Sequence, residues 1–143
     1  ERNVMAFEYR RGPRILIELP LDSTSANITP GMAITAAGAT DGYFKEVDAA
    51  AENVLGIAVN KVTSPASDGG AMVKLDVSTL SIYEVGPDAG SMAVTINQNT
   101  CDVGADAKSI DINGSATDDI LILVVDTDTN KALVRLAPII AGV

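Results

Sequence analysis

The side chains best suited to bind a metal lie near the end of the sequence. Asp126, Asp128 and Asn130 form a D-x-D-x-N pattern, whose oxygens would suit a hard cation such as calcium. A calcium loop also needs glycine at its sixth position and glutamate at its twelfth, where this chain has Lys131 and Ala137. Because Asp and Asn adopt turn conformations readily, the pattern predicts a polar hairpin tip and no metal site.

A second group of carboxylates comes slightly earlier in the sequence. Its members are Asp102, Asp106, Asp111, Asp118 and Asp119. Together they could serve general acid–base chemistry or bind a metal, but nothing in their spacing fixes such a geometry. Residues that flank turns between alternating strands usually point into water, so we expect a solvated acidic rim.

The usual apparatus of catalysis is missing from the sequence. Histidine, the side chain that most often handles protons near neutral pH, does not occur. Cys101 is the only cysteine and has no cationic neighbour in sequence, so we expect it to be a core residue or a bystander. Nucleophile elbows and phosphate loops are also missing. The sequence therefore predicts a protein that is not an enzyme and binds no cofactor or metal.

Short β-strands are the elements that would position these residues. Apolar runs are separated by Gly, Pro, Asn, Asp and Ser at intervals of roughly ten residues, which is typical of all-β proteins. The predicted strands cover residues 14–21, 31–35, 42–47, 54–62, 71–77, 80–85, 91–96, 119–126 and 132–138. The run at 119–126 is continuously apolar, as expected for a strand buried on both faces.

Only one segment has the composition of a helix. Residues 45–54 contain an alanine run behind a possible capping residue, Asp48, so we expect at most one short helix. The chain of 143 residues fits one domain. The pattern predicts an all-β fold, a small β-sandwich or β-barrel of about eight to ten strands.

Charge singles out the N-terminal segment. The formal net charge of the chain is −9, yet the first fourteen residues carry four of the ten basic side chains. The following RILIELPL alternates like a strand and would place Ile15, Ile17, Leu19 and Leu21 on one face. We expect an extended N-terminal arm over residues 1–20 and a single β-rich domain over residues 21–143.

The predicted arm has the composition of a binding segment. Aromatic anchors and bidentate arginines suit an acidic partner surface, and RILIEL can add its edge to a neighbouring sheet. The predicted contact residues are Phe7, Tyr9, Arg10, Arg11, Arg14, Ile15 and Ile17. The alternative is that these arginines pair with the chain's own acidic strands.

Two classes of partner are not expected. Residues 15–143 carry six basic and seventeen acidic side chains, so this part of the chain would repel nucleic acid. No apolar run approaches the roughly 18 residues that a membrane span needs. The uncharged tail at 137–143 is expected either to enter an interface with another protein chain or to close the β-core.

The order of several segments resembles the head decoration, or capsid cement, proteins of tailed bacteriophages. The similar segments are ITPGMAIT, AENVLGIAVNKV, a small-residue loop ending in SDGG, AMVKLDVSTLSIYEV and KALVRLAP. They extend over roughly residues 28 to 137, which is most of the chain. L-G-I-A and a Gly-Gly turn before a strand also occur in other β-domains, so these motifs are moderately specific.

The resemblance implies a structural virion protein. Such a protein is β-rich and frequently homotrimeric, binds the outer surface of the capsid, and stabilises the shell by bridging neighbouring major capsid protein subunits. It is assembled in the host bacterial cytoplasm. An extended terminal arm often reaches over the shell or to the next decoration subunit in such families, and residues 2–20 occupy that place here.

Two other functions fit an acidic β-domain. One is a secreted or surface-displayed adhesin or carbohydrate-binding module, although the chain has no Trp and only five Phe and Tyr residues with which to stack on sugar rings. The other is a tail or fibre component of the same kind of virus.

Overall fold

The computed structural model describes residues 6–38, 41–49 and 52–137 and consists almost entirely of two antiparallel sheets. Sheet A contains, in spatial order, β1 (Glu8–Arg11), β7 (Ile82–Val85), β11 (Lys131–Leu136), β10 (Ile120–Asp126), β8 (Thr100–Val103) and β9 (Ile110–Asp111). Sheet B contains β2 (Leu16–Pro20), β6 (Met72–Asp76), β5 (Gly56–Ala58), β3 (Ala33–Ala36) and β4 (Phe44–Glu46). This confirms the predicted all-β fold and shows a sandwich, the first of the two predicted architectures, whose sheets of six and five strands exceed the eight to ten strands expected.

One hydrophobic core joins the two sheets. Alternation along the strands supplies it: β11 buries Ala132, Val134 and Leu136, and β6 buries Val73 and Leu75. Most of the core side chains are aliphatic, as the low aromatic content requires. No helix in the described ranges is long and apolar enough to cross a membrane.

The segment from 45 to 54 is not a helix where the structure describes it. Residues 45 and 46 end β4, and residues 47–49 and 52–54 have irregular backbone. Lys45 Nζ instead forms an ion pair with the Asp48 carboxylate at 2.8 Å, and Glu52 accepts hydrogen bonds from the Asp48 and Ala49 amides. In the described ranges the helical element is one turn of 3-10 helix, Val94–Ile96.

The prediction of a strand at 91–96 was therefore wrong. That run is short, and none of the residues in its helical turn is buried. The segment that pairs with β10 lies after this run, at residues 98 and 99. Gln98 N–H donates to the Ile122 carbonyl at 2.7 Å, and Ile122 N–H donates to the Asn99 carbonyl at 2.9 Å. The regular strands β8 and β9 follow, over residues with little apolar alternation.

The prediction that the run at 119–126 is buried on both faces was also wrong. β10 alternates, with Ile120, Ile122 and Val125 buried and Val124 45% exposed. One side of sheet A packs on the core, and the other side faces solvent. The apolar run therefore includes side chains outside the core, namely Leu121, Leu123 and Val124. β10 does turn back into β11 as the predicted hairpin.

The D-x-D-x-N stretch forms the tip of that hairpin, as predicted. Asp128 N–H donates to the Asp126 carboxylate at 3.0 Å, and Asn130 has a positive φ of 54°. The Asn130 side chain also accepts from Met92 N–H at 2.8 Å and donates to the Gly90 carbonyl at 3.0 Å. These oxygens and nitrogens therefore hold a turn together.

The N-terminal segment belongs to both sheets. β1 pairs with β7 in sheet A, and β2 pairs with β6 in sheet B, each at a sheet edge. Residues 8–20 and 72–84 thus form one antiparallel ribbon that bends from one sheet to the other. Gly12 makes the bend possible: its φ is +106°, and a Cβ there would lie 2.3 Å from the Leu80 carbonyl oxygen.

Within the predicted arm of residues 1–20, residues 8–11 and 16–20 pair with strands of the two sheets. The division of the chain at residue 20 stays a prediction. Residues 1–5, which include Arg2, and residues 138–143 of the predicted tail lie outside the described residues.

Candidate interaction surfaces

An aromatic cluster holds the N-terminal segment against sheet A. Phe7 is only 3% exposed, and its ring meets the Tyr83 ring edge to face with 6.3 Å between centroids. The Tyr9 ring packs on Tyr83 in the same manner at 5.8 Å, and its hydroxyl donates to the Gly12 carbonyl. The two predicted aromatic anchors are therefore used inside this chain.

A buried carboxylate fixes the bend of the ribbon. Asp76 is fully buried and accepts hydrogen bonds from the Tyr83 hydroxyl at 2.6 Å and from the Ile15 and Ser78 amides at 3.1 Å each. Burial alone would raise the pKa of Asp76, but the hydrogen bonds, including one from Ser81, outweigh it and lower the pKa. Burial and the Asp76 carboxylate together raise the pKa of Tyr83.

Two of the arginines, Arg10 and Arg14, pair with acidic residues of this chain, as in the alternative considered from the sequence. Arg14 lies with its guanidinium carbon 3.7 Å from the centre of the Tyr9 ring and its Nε 3.8 Å from the Asp76 carboxylate. Arg10 forms ion pairs with Glu8 and Glu84. Arg11 is exposed, and 34% of the Arg14 side chain and 44% of the Arg10 side chain also remain open to solvent.

One edge of sheet B is apolar and exposed. We define the β2 edge as residues 14–18. The exposed fractions of its apolar members are 57% for Ile15, 47% for Leu16 and 39% for Ile17. The predicted face continues into the core only at Leu19 and Leu21. The β2 edge is the part of the predicted arm whose apolar side chains are left for a partner.

The open side of sheet A carries a second surface. We define the sheet A face as Arg10, Glu84, Val124, Lys131 and Leu133, which line a shallow depression of about 220 Å³. The depression, which Asp126 also lines, combines apolar groups with two cations and two carboxylates, a mixture that suits a protein partner. Arg11 extends the cationic end of this surface along β1.

The solvated rim expected from the sequence is wrong for two of its five acidic residues: Asp102 and Asp119 are buried, whereas Asp106 is exposed and Asp111 and Asp118 are half-buried. Asp102 is 3% exposed, and its carboxylate accepts from the Thr117 and Asp118 amides at 2.9 and 2.8 Å and from the Ala116 amide at 3.0 Å. Asp102 thus organises the loop between β9 and β10. These backbone hydrogen bonds lower the pKa of Asp102 against the opposing effect of burial, which is the largest single contribution.

Asp119 is the other buried member of this group. It is 1% exposed, and burial raises the pKa of its carboxyl group. The Thr117 hydroxyl lies 3.0 Å from Asp102 Oδ1 and 2.6 Å from Asp119 Oδ2, and its one hydrogen can be donated to only one of them. A proton on Asp119 completes this network, because it can then donate to the Thr117 oxygen.

Neither acidic stretch has the arrangement of a metal centre. Among the described residues, no group of three or more Asp, Glu, Cys or His side chains is placed to hold a metal ion. Cys101 is completely buried, which confirms the core interpretation. Burial, reinforced by the charge of Asp102, raises the pKa of its thiol to about 12.

No family model matches this chain, and neither the curated proteins nor the solved structures contain a significant match to it.

Two residues at these surfaces had no role in the sequence prediction. Leu16 is not among the predicted contact residues, although its apolar character in RILIEL could have flagged it. Asp76 has no predicted role either, because its local sequence does not distinguish an aspartate that caps a buried bend from one that faces water.

Proposed function

We propose that this chain is a structural virion protein that binds the outer surface of a phage capsid and bridges neighbouring major capsid protein subunits. The resemblance of residues 28 to 137 to capsid decoration proteins suggests this function. One structural observation supports it: next to the N-terminal strand β1, sheet A presents an open surface where arginine and lysine side chains alternate with carboxylates and apolar groups. The chain acts by contact and performs no reaction.

The sheet A face and the adjoining Arg11 bind the shell protein in this proposal. Arg10 and Arg11 offer planar, bidentate donors to carboxylates of the partner, and Val124 and Leu133 supply apolar area between the charges. The ion pairs from Arg10 to Glu8 and Glu84 hold its guanidinium above the sheet before the partner arrives. Pre-ordering of this kind lowers the entropic cost of association.

Multiple weak contacts would account for stabilisation of the shell. A decoration protein that spans a subunit junction must lose its own contacts before the junction opens, so opening becomes less favourable. Assembly as a homotrimer would multiply these contacts at a local three-fold position. The acidic remainder of the chain would face solvent and keep coated particles apart.

Cosedimentation with purified expanded shells tests this proposal. The variant Arg10→Gln/Arg11→Gln removes two charges from the surface and keeps most of each side chain. We expect its dissociation constant from shells to rise at least about tenfold, since two charge-assisted contacts are lost.

The matched control is Lys61→Gln/Lys108→Gln, which removes the same charge elsewhere on the chain and should bind shells normally. Equal binding by both double variants would reject the sheet A face as the attachment surface. Binding of the unaltered chain to purified tails but not to shells would favour the tail or fibre function.

A further inference from the structure

The apolar centre of the β2 edge, Ile15 to Ile17, lacks the charges and prolines that normally protect an exposed sheet edge. Natural edge strands avoid open pairing by means of charges, prolines or short length. β2 has Glu18 and Pro20 towards its C-terminal end, but its first part presents Ile15, Leu16 and Ile17 to solvent. An apolar edge of this kind is suited to pair with another strand.

The register of β2 shows which backbone groups point outwards. Val77 N–H donates to the Ile15 carbonyl at 2.8 Å, and Leu21 N–H donates to the Ala71 carbonyl at 2.9 Å. Odd-numbered residues of this segment therefore pair with β6, since bonding alternates along an antiparallel strand. The N–H and C=O groups of Leu16 and Glu18 point away from sheet B and can pair with an added strand.

The sequence of the β2 edge is complementary to itself when reversed. It reads Arg-Ile-Leu-Ile-Glu from residue 14 to residue 18. We propose that the β2 edge pairs antiparallel with the β2 edge of a second copy of this chain, about a two-fold axis at Leu16. Each Leu16 then faces Leu16 of the second copy, Ile15 faces Ile17, and Arg14 faces Glu18.

The outward backbone groups fit this register. Leu16 exchanges both of its backbone hydrogen bonds with Leu16 of the second copy, and Glu18 pairs with Arg14 in the same way, because all these residues are even-numbered. The apolar side chains at residues 15 and 17 cover each other across the new strand pair. Sheet B is thereby extended into one sheet that runs through both copies.

Charge selects this register over its neighbours. Glu18 already lies opposite Lys74 of β6, and the added strand would place Arg14 on its other side. Arg14 keeps 34% of its side chain exposed while stacked on Tyr9, so Glu18 of a second copy can approach it from solvent. Centring the axis on Ile17 instead would place Glu18 opposite Leu16 and leave Arg14 opposite Pro20. Opposite charges directly across a strand pair are favourable, so the Leu16-centred register is preferred.

The contact is small, so single pairs should dissociate readily. A strand pair of this length buries less than the ~1,000 Å² typical of stable interfaces. Copies held side by side on a surface would nevertheless pair strongly because their effective concentration is high. The inference does not depend on capsid binding, which we assign to the sheet A face.

Cysteine cross-linking tests the proposed register. Leu16→Cys places two thiols opposite each other at a backbone separation that a disulfide spans. We expect mild oxidation to yield a covalent dimer at least about tenfold faster than Val94→Cys, a similarly exposed control on the 3-10 turn. The native Cys101 does not compete, because it is completely buried and burial raises its pKa.

Two further variants distinguish pairing from random collision. Ile15→Cys and Ile17→Cys should each cross-link slowly alone and rapidly when mixed, because residue 15 faces residue 17 of the second copy. Adding Glu18→Lys to Leu16→Cys should slow cross-linking about tenfold at low salt, whereas Asp128→Lys at the exposed hairpin tip, with the same charge change, should not.

Equal rates for Leu16→Cys and Val94→Cys would overturn the proposal, as would faster cross-linking of Ile15→Cys or Ile17→Cys alone than of their mixture. Protection of Leu16→Cys from oxidation on coated shells, without dimer formation, would assign the β2 edge to the shell protein and reject self-pairing. Failure of shell binding in the cosedimentation experiment would leave the cross-linking result unaffected.

Discussion

Asp76 and Asp102 are two buried aspartates that stabilise the chain in the same way with different consequences. Each accepts several hydrogen bonds, and in each case these lower the pKa despite burial. Asp102 closes a loop within one sheet, between β9 and β10. Asp76 connects the N-terminal ribbon to both sheets, and the apolar β2 edge of that ribbon stays exposed. The comparison shows that a similar internal anchor can serve stability alone or also position a binding surface.

Removing the Asp76 carboxylate should have the largest effect on the fold. Asp76→Ala leaves the Tyr83 hydroxyl and the Ile15 amide without their acceptor, so we expect a loss on the order of 3 kcal/mol in the free energy of unfolding. Urea denaturation measures this loss. Asp76→Asn, which retains one acceptor oxygen, should lose less. Equal stability of Asp76→Ala and the unaltered chain would contradict the anchoring role.

The corresponding change at Asp102 should be smaller and more local. Asp102→Ala removes the acceptor of the Thr117 and Asp118 amides, but this loop can open to water without separating the sheets. We expect a loss of about 1 to 2 kcal/mol and faster amide hydrogen exchange in residues 114–118. Faster exchange in β1 and β2 instead would show that the two anchors are not independent.

Asp119 should make the opposite contribution from Asp76 as pH changes. Its folded pKa is raised, so its stabilisation is complete below its unfolded pKa and is lost as pH rises through the folded value. Asp119→Asn should therefore stabilise the chain by on the order of 1 kcal/mol at pH 7 and give no gain near pH 3. Thermal unfolding at the two pH values measures the difference, and an equal gain at both would reject this explanation.

Asp76 predicts the reverse dependence. Because its folded pKa is lowered, its stabilisation is present above its unfolded pKa and is lost as pH falls through the folded value. The cost of Asp76→Asn relative to the unaltered chain should accordingly shrink below about pH 4. A cost that stayed constant from pH 7 to pH 2 would contradict the charged form of Asp76 in the folded state.

The smallest effect is expected at Arg10. Its ion pairs with Glu8 and Glu84 lie at the surface, so Arg10→Ala should cost less than about 1 kcal/mol. Thermal unfolding in low and high salt should show little difference from the unaltered chain. A loss as large as that of Asp76→Ala would mean that the Arg10 pairs, and not Asp76, hold the ribbon in place.

The sequence predicted the strands that alternate clearly. The strands β6, β7 and β11 were predicted correctly because alternate side chains of each strand face the core and those between them face solvent. β8 and β9 were missed because their residues, such as Thr100 and Asp111, lack that contrast. Their pairing depends on distant partners rather than on local preference.

The candidate surfaces were predicted only in part. Arg11, Ile15 and Ile17 are exposed as expected. Phe7 is buried, and Tyr9 is half-buried against the Tyr83 ring. The local sequence, aromatic residues beside arginines, is the same whether the aromatic side chains are buried in their own chain or exposed to a partner. Here the Tyr83 ring and the Asp76 carboxylate hold the segment against the chain itself, and both come from strands more than sixty positions away.

Electron microscopy of expanded shells with and without this chain tests the central proposal most directly. We predict added density on the outer surface that spans junctions between major capsid protein subunits, with β1 and the sheet A face towards the shell. Shells with identical density in both preparations, with the chain supplied in excess over the major capsid protein, would contradict the proposed function.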